Sequence, residues 1–150
     1  MLIYDDGRPF AQGACRCTIG PVSGSGSSSR IILRVLVEGI ADKAVVDTGG
    51  VYLVCSQEIS ESLRSSLRDG LVPAAVNIRG RSITGMLHRL KLSLLAGKGQ
   101  GESLDLDVTA LLPDAESGHN LPTILGLTGC LERVRFAVDP VIDTFHFGAL

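Results

Sequence analysis

One tripeptide in this 150-residue chain has the makings of a reactive centre: Asp47-Thr48-Gly49. It follows the apolar run Ala44-Val45-Val46 directly. A carboxylate delivered there by a strand is costly unless it is hydrogen-bonded or shares a proton. That environment suits a general acid or base. Thr48 adds a short hydroxyl within reach of neighbouring backbone, and Gly49 lets a turn tighten or another chain pass close by. The plainer reading is a turn opened by an aspartate after a strand. The flanks favour the chemical one, because apolar strand-like residues lie on both sides, ending in VYLVC at 51–55.

The other reactive side chains form no comparable constellation. His88, His119 and His146 stand in unrelated contexts, with no H-E-x-x-H or Cys-His spacing. They read as a strand residue, a loop residue and a residue of the last strand. Cys15-Arg16-Cys17 has no second pair of matching spacing, so a zinc site has little support. Free thiols in a reducing compartment are expected, with Cys55 and Cys130 in the core. Gly24-Ser25-Gly26 lies in a Ser/Gly stretch and not at a strand-to-helix turn, so no serine nucleophile is expected. The same stretch lacks the lysine of a phosphate-binding loop. Asp139 precedes Pro140 and reads as a turn opener. Asp143-Thr144 is followed by Phe145 and is no second copy of the motif. Glu132 and Arg133 read as solvated helix residues. No metal and no cofactor is expected.

The elements that must carry Asp47 are legible around it. Residues 31–38 (IILRVLVE) are rich in β-branched and aliphatic side chains and predict a strand. Gly39 with residues 41–43 predicts a turn, residues 44–46 the returning strand, and residues 51–55 a third. In residues 56–69 the period changes: Ile59, Leu63 and Leu67 share a helical face. Ser56 is the expected N-cap, Glu58 and Glu61 favour the first turn, and Gly70 and Pro73 predict the stop. Residues 76–92 read as a hairpin with a polar tip between Gly80 and Gly85. Leu90, Leu92 and Leu94 alternate with polar residues, as do Leu104, Leu106 and Val108 across a glycine-rich turn at 97–101. A polar loop at 113–120, an apolar strand at 121–126, a short helix at 128–134 and strands at 136–138 and 145–147 complete the chain. Many short strands with one or two short helices predict a mainly β barrel or sandwich.

Composition sets the outer bounds. A hydrophobic fraction of 45% against 20% charged residues is that of a globular domain and not of a disordered chain. The net charge is −2 and the basic residues are scattered, so no nucleic-acid partner is expected. No apolar run reaches the roughly 18 residues of a membrane span, and no secretory pattern opens the sequence. A soluble, cytoplasmic protein is expected. Residues 1–30 read as a lead-in with a flexible Ser/Gly loop at 23–29, and residues 31–150 as the folded domain.

The segment AVVDTGGVYLVCSQEI (44–59) resembles the active-site segment of retropepsin-like aspartic proteases, including their bacterial relatives. A second signature follows in the right order. Thr123-Ile124-Leu125-Gly126, then residues 127–134 and Phe136-Ala137-Val138-Asp139, is similar to that family's hydrophobic–hydrophobic–Gly loop, short helix and final strands. The resemblance implies a small barrel with a flap hairpin over the cleft, falling at residues 76–92. It also implies a two-fold homodimer, because this chain carries one Asp-Thr-Gly and the chemistry needs two facing carboxylates. Asp47 would be catalytic and Thr48 and Gly49 would support it. Gly49, Gly50 and flap residues Gly80, Ser82, Ile83 and Gly85 would bind a peptide substrate, and Ile124, Leu125 and Gly126 would form the structural loop. Gly50 departs from the alanine or serine more frequent in the family. Val51 and Tyr52 replace polar or acidic residues of the viral enzymes, which leaves Arg133 and Arg135 without that ion-pair partner. The rival expectation is the same dimeric fold acting as a peptide-binding or structural module without useful turnover.

Overall fold

The computed structural model describes residues 2–21, 28–67, 70, 72–118 and 120–150. The order is β1 (Gly13–Arg16), β2 (Thr18–Pro21), β3 (Ser29–Val37), β4 (Ile40–Val46), β5 (Leu53–Val54), α1 (Gln57–Arg64), β6 (Val72–Ile78), β7 (Arg81–Leu94), β8 (Leu104–Pro113), β9 (Thr123–Leu125), a 3-10 turn (Leu131–Arg133), β10 (Val134–Asp139) and β11 (Thr144–Ala149). The mainly β architecture matches the sequence expectation. No helix among the described residues is long and apolar enough to cross a membrane.

Two-residue periodicity builds the main sheet. In β3, Leu33, Val35 and Val37 point into the core while Arg34 faces out; in β7, Leu90 and Leu92 do the same around Lys91. The sheet runs β2-β3-β4-β9-β5-β8-β7-β6, and β3 pairs again with β7 through Val35 and Leu94, Leu36 and Ser93, and Val37 and Leu92. That extra pairing closes β3, β4, β9, β5, β8 and β7 into a ring around one hydrophobic core. Only β2 and β6 hang from it as margins. Two of its pairings, β4 with β9 and β5 with β8, are parallel and join strands far apart in sequence.

Several expectations need revision. Residues 13–21, expected within a lead-in, are two strands: β1 lies antiparallel on β11 and β2 on β3. The partner of β1 lies at the far end of the chain, while β2 pairs with the next strand and its short Thr-Ile-Gly-Pro run carries little alternation. Residues 23–27 of the expected flexible loop, and His119, lie outside the described residues. Helix α1 begins at the expected Ser56 cap, whose hydroxyl accepts from the Ile59 N–H, but it ends at Arg64 and not near Asp69. The Leu63 carbonyl there collects the Ser66 hydroxyl, the Ser66 N–H and the Leu67 N–H in a closing turn. Pro73 sits near the start of β6, a margin strand where a missing N–H is tolerated. The helix expected at 128–134 is reduced to the 3-10 turn.

Cys55 and Cys130 belong to the main core as expected, and Cys15 and Cys17 are buried with them; all four are unpaired. Burial pushes the Cys130 thiol up to about 12 and the Cys15 thiol up to about 11, and raises Cys55 and Cys17 as well. A raised thiol stays protonated at neutral pH and is a poor nucleophile. All four should therefore escape a thiol reagent in the native protein and react together once denaturant unfolds it. Stoichiometric labelling of the native protein would contradict this burial.

Candidate active site

Asp47 owes its position to a parallel strand pair. Ala44, Val45 and Val46 of β4 lie beside Thr123, Ile124 and Leu125 of β9, and the Asp47 N–H donates to the Leu125 carbonyl at 2.9 Å. The loops leaving these strands are then laced together. Gly126 N–H donates to Tyr52 carbonyl (2.8 Å), Leu127 N–H to Gly50 carbonyl (2.8 Å), and Tyr52 N–H to Thr128 carbonyl (2.9 Å). Tyr52 accepts a left-handed backbone, φ 61°, to make both of its bonds. Gly126 is required by space: a Cβ there would strike the Tyr52 carbonyl oxygen and lie 2.7 Å from the Val51 carbonyl carbon. Ile124 and Leu125 are thus residues of β9, and Gly126 begins the loop that follows it beside Asp47.

The Asp47 carboxylate is oriented by its own turn. Gly49 N–H donates to Oδ1 at 3.1 Å, and Gly50 N–H donates to the Asp47 carbonyl at 3.1 Å. Gly49 therefore holds the carboxylate with its N–H. A Cβ at Gly50 would meet nothing closer than 3.4 Å, so the departure from alanine or serine at this position is not sterically forced. Asp47 and Thr48 are exposed in the single chain, contrary to the buried carboxylate expected from the apolar run before them. Val51 and Leu127, each 41% exposed, flank the same loops, so apolar side chains surround an uncovered carboxylate.

Behind this rim sits a second aspartate that sequence reading passed over. Asp42 Oδ2 accepts from the Thr123 hydroxyl at 2.7 Å and from the Ser56 hydroxyl at 3.0 Å, and Thr123 in turn accepts from Ser56 N–H. One carboxylate thereby ties β4, β9 and the start of α1 together, and Thr123 is fully buried. Thr123→Val keeps the shape but leaves the Ser56 N–H and one carboxylate contact unmet. It should lower stability by about 1–3 kcal/mol. A denaturant midpoint equal to that of the wild type would refute this role.

Above Asp47 opens a cleft of about 230 Å³. Its floor carries Asp47, Gly49, Gly50, Val45 and Ile124; one wall is the β6–β7 hairpin at Val76 to Arg79 and Arg81; another is Asn120 to Pro122. The hairpin stands where the flap was expected, but its tip is tighter. It is the two-residue turn Arg79-Gly80, with φ 53° and 77°, the left-handed pair that joins twisted strands. Ser82, Ile83 and Gly85 are therefore strand residues of β7, paired with Asn77, Val76 and Ala74. Ile83 is buried with Val54, Val76, Leu87, Leu111 and Ile124 and supports the wall from behind. Gly85 lets β8 approach, since a Cβ would strike the Leu112 carbonyl oxygen. Gly80, Ser82, Ile83 and Gly85 lie outside the described lining of the cleft, while Arg30, Arg79, Arg81 and residues 120–122 belong to it. The Arg-Gly dipeptide between the alternating residues Val76, Ile78 and Ile83 was the available signal for the true turn.

The described residues 2–21 line no part of this cleft. β2 runs beside β3, and the residues before it lie on the β10–β11 side: Gly148 packs against the Phe10 carbonyl, and the Arg135 guanidinium lies 5.9 Å from the rings of both Tyr4 and Phe10. Arg135 thus stacks on aromatic faces, while its Nε has no hydrogen-bond partner. Arg133 donates to the Asp107 carbonyl. Glu132, expected as a solvated residue, is exposed yet accepts from Gly129 N–H at 2.6 Å and steadies the loop after Gly126. Asp139 opens its turn as expected, accepting from Val141 N–H.

No family model matches the chain, and no curated protein matches it in sequence. Among solved structures, the crystal structure of a retropepsin-like aspartic protease from Rickettsia conorii is similar, with a TM-score of 0.56 over 92% of this chain and 94% of that one. Identity is 16%, so the likeness is one of fold. The chain has a mainly β, retropepsin-like fold, with Asp-Thr-Gly at the end of β4 and the hairpin over the cleft.

Proposed function

We propose that the chain is an aspartic endopeptidase that acts as a homodimer. The observation that carries this reading is the uncovered Asp47 carboxylate, fixed by Gly49 and by the Leu125–Gly126 loop, at the foot of an open cleft. The retropepsin-like fold supports it. Exposed Thr48, Val51 and Leu127 around the carboxylate support a second copy closing over this rim.

Two Asp47 carboxylates would then face one another across the two-fold axis and share one proton. The ionised member takes a proton from a water as that water attacks the scissile carbonyl carbon. The protonated member donates a hydrogen bond to the carbonyl oxygen. Thr48 would brace the two loops across the axis. The substrate peptide would lie extended between the floor and the β6–β7 hairpin, offering its backbone as an added strand. Four unpaired, buried thiols fit a reducing compartment such as the cytoplasm.

The test is hydrolysis of a mixed peptide library by the purified protein from acid to neutral pH, with molar mass measured on the same samples. Cleavage by a dimer supports the proposal. A folded dimer that cleaves nothing favours a peptide-binding module, and a stable monomer removes the second carboxylate and sinks the mechanism. Because the pair must keep one proton, the rate should be greatest at acid to near-neutral pH. A rate still climbing above about pH 9 would exclude a shared-proton carboxylate pair.

A further inference from the structure

The cleft carries a charge pattern that hydrolysis itself does not require. Arg30, Arg79 and Arg81 all line it, and Asp47 is the one carboxylate among its described lining residues. The chain holds 14 basic and 16 acidic residues, so this is a local concentration and not an overall excess. The three side chains are exposed, and none has a carboxylate partner among the described residues, where the one ion pair is Arg8 with Asp6. Their structural bonds are weak: Arg30 Nη1 reaches the neighbouring Ser29 carbonyl at 3.3 Å, and Arg81 Nη2 reaches the Ser117 carbonyl at 3.5 Å.

Their placement brackets the reactive carboxylate. Arg30 precedes Ile31, which pairs with Val46, so it stands on the floor beside Asp47. Arg79 and Arg81 flank Gly80 on the opposing hairpin. Apolar Val45, Val54, Ile78 and Ile124 lie in the same cleft. An extended peptide turns successive side chains to opposite faces, so one bound segment can present an apolar side chain inward and its neighbours outward to the rim. Guanidinium groups match carboxylates with two parallel hydrogen bonds. A two-fold copy would double the set.

We infer that the preferred substrate is a peptide segment with an apolar residue at the cleavage site and aspartate or glutamate beside it. This rests on the peptidase reading of the same site. The contacts are solvent-exposed, so each is modest and screened by salt, and selectivity comes from their number.

Three peptide sets with one shared apolar centre, flanked by Glu/Asp, by Gln/Asn or by Lys/Arg, decide the matter. Wild-type kcat/KM should favour the acidic set over the amide set by about tenfold at low salt, with the basic set slowest. The preference should shrink in high salt. The double variant Arg79→Gln/Arg81→Gln should collapse the acidic-to-amide ratio, and Arg79→Lys/Arg81→Lys should keep part of it, since lysine retains the charge but not the paired hydrogen bonds. Equal rates for the three sets, or a ratio indifferent to the glutamine variant, would overturn the inference. Fluorescence anisotropy with the Asp47→Asn protein separates this failure from that of the peptidase reading. Preferential binding of the acidic set without any wild-type cleavage leaves the charge recognition standing and removes the peptidase. Neither cleavage nor preference removes both.

Discussion

Asp47→Asn should abolish peptide hydrolysis, by at least about a thousandfold, while leaving fold and assembly intact. The amide oxygen can still accept the Gly49 N–H that Oδ1 now receives, so the turn keeps its bond. Asp47 is exposed in the single chain, so its replacement removes no core packing. What vanishes is the group that exchanges a proton with water. If two chains share one centre, a single asparagine is enough to silence a dimer. Equal amounts of wild type and variant, allowed to exchange subunits, should show about one quarter of the activity of the same total of wild type. Loss in simple proportion to the wild-type fraction would mean that each chain works alone, and undiminished turnover by the variant would end the proposal. The unfolding midpoint and molar mass of the variant complete the measurement.

Gly126→Ala should be the most damaging one-atom change near the site. Its Cβ would strike the Tyr52 carbonyl oxygen and crowd the carbonyl carbons of Gly50 and Val51, at 2.9 and 2.7 Å. Those atoms are backbone and cannot swing aside as a side chain would. The loop after Asp47 must shift, breaking the Gly126–Tyr52 and Leu127–Gly50 hydrogen bonds. Misplacing a reacting group by about 1 Å costs on the order of a hundredfold in rate. Overpacking of this kind costs about 1–3 kcal/mol of stability. Gly20→Ala is the matched control, since its Cβ would meet nothing within 4 Å. Retained turnover and an unchanged midpoint in Gly126→Ala would show that the two loops are not coupled as described.

Asp47 and its supports were readable because their signals are local. An apolar strand ending in Asp-Thr-Gly, and Ile124-Leu125-Gly126 further on, declare themselves in a few residues each. The Ser56 cap and the alternation in β3, β7 and β8 did so as well. Other features depend on what the chain meets at long range. Strand β1 exists because β11, at the far end of the chain, offers it a partner. Asp42 looked like a turn residue, yet within β4 it faces Thr123 and Ser56. Ser82-Ile83-Thr84-Gly85 is polar enough to read as part of the hairpin tip, which in fact ends at Gly80. The buried Ile83 side chain, packed on Val76 and Ile124, decides otherwise. Exposure of Asp47 lies a level higher again. The residues before it predict burial, and the single chain leaves it exposed.

The parallel pairing of β4 with β9 bears on when the proposed active site can assemble. Ala44 meets Thr123 only after everything between them has been made and placed, and such distant contacts form late and slowly. A ribosome-bound or half-folded chain already contains Asp-Thr-Gly, yet it lacks the Leu125 carbonyl that fixes Asp47 and the Gly126 loop that holds Tyr52. On the peptidase reading, the same sequence order that makes the barrel slow to close would also delay the onset of activity. Asp47 is held in place once the last third of the chain has been made and placed.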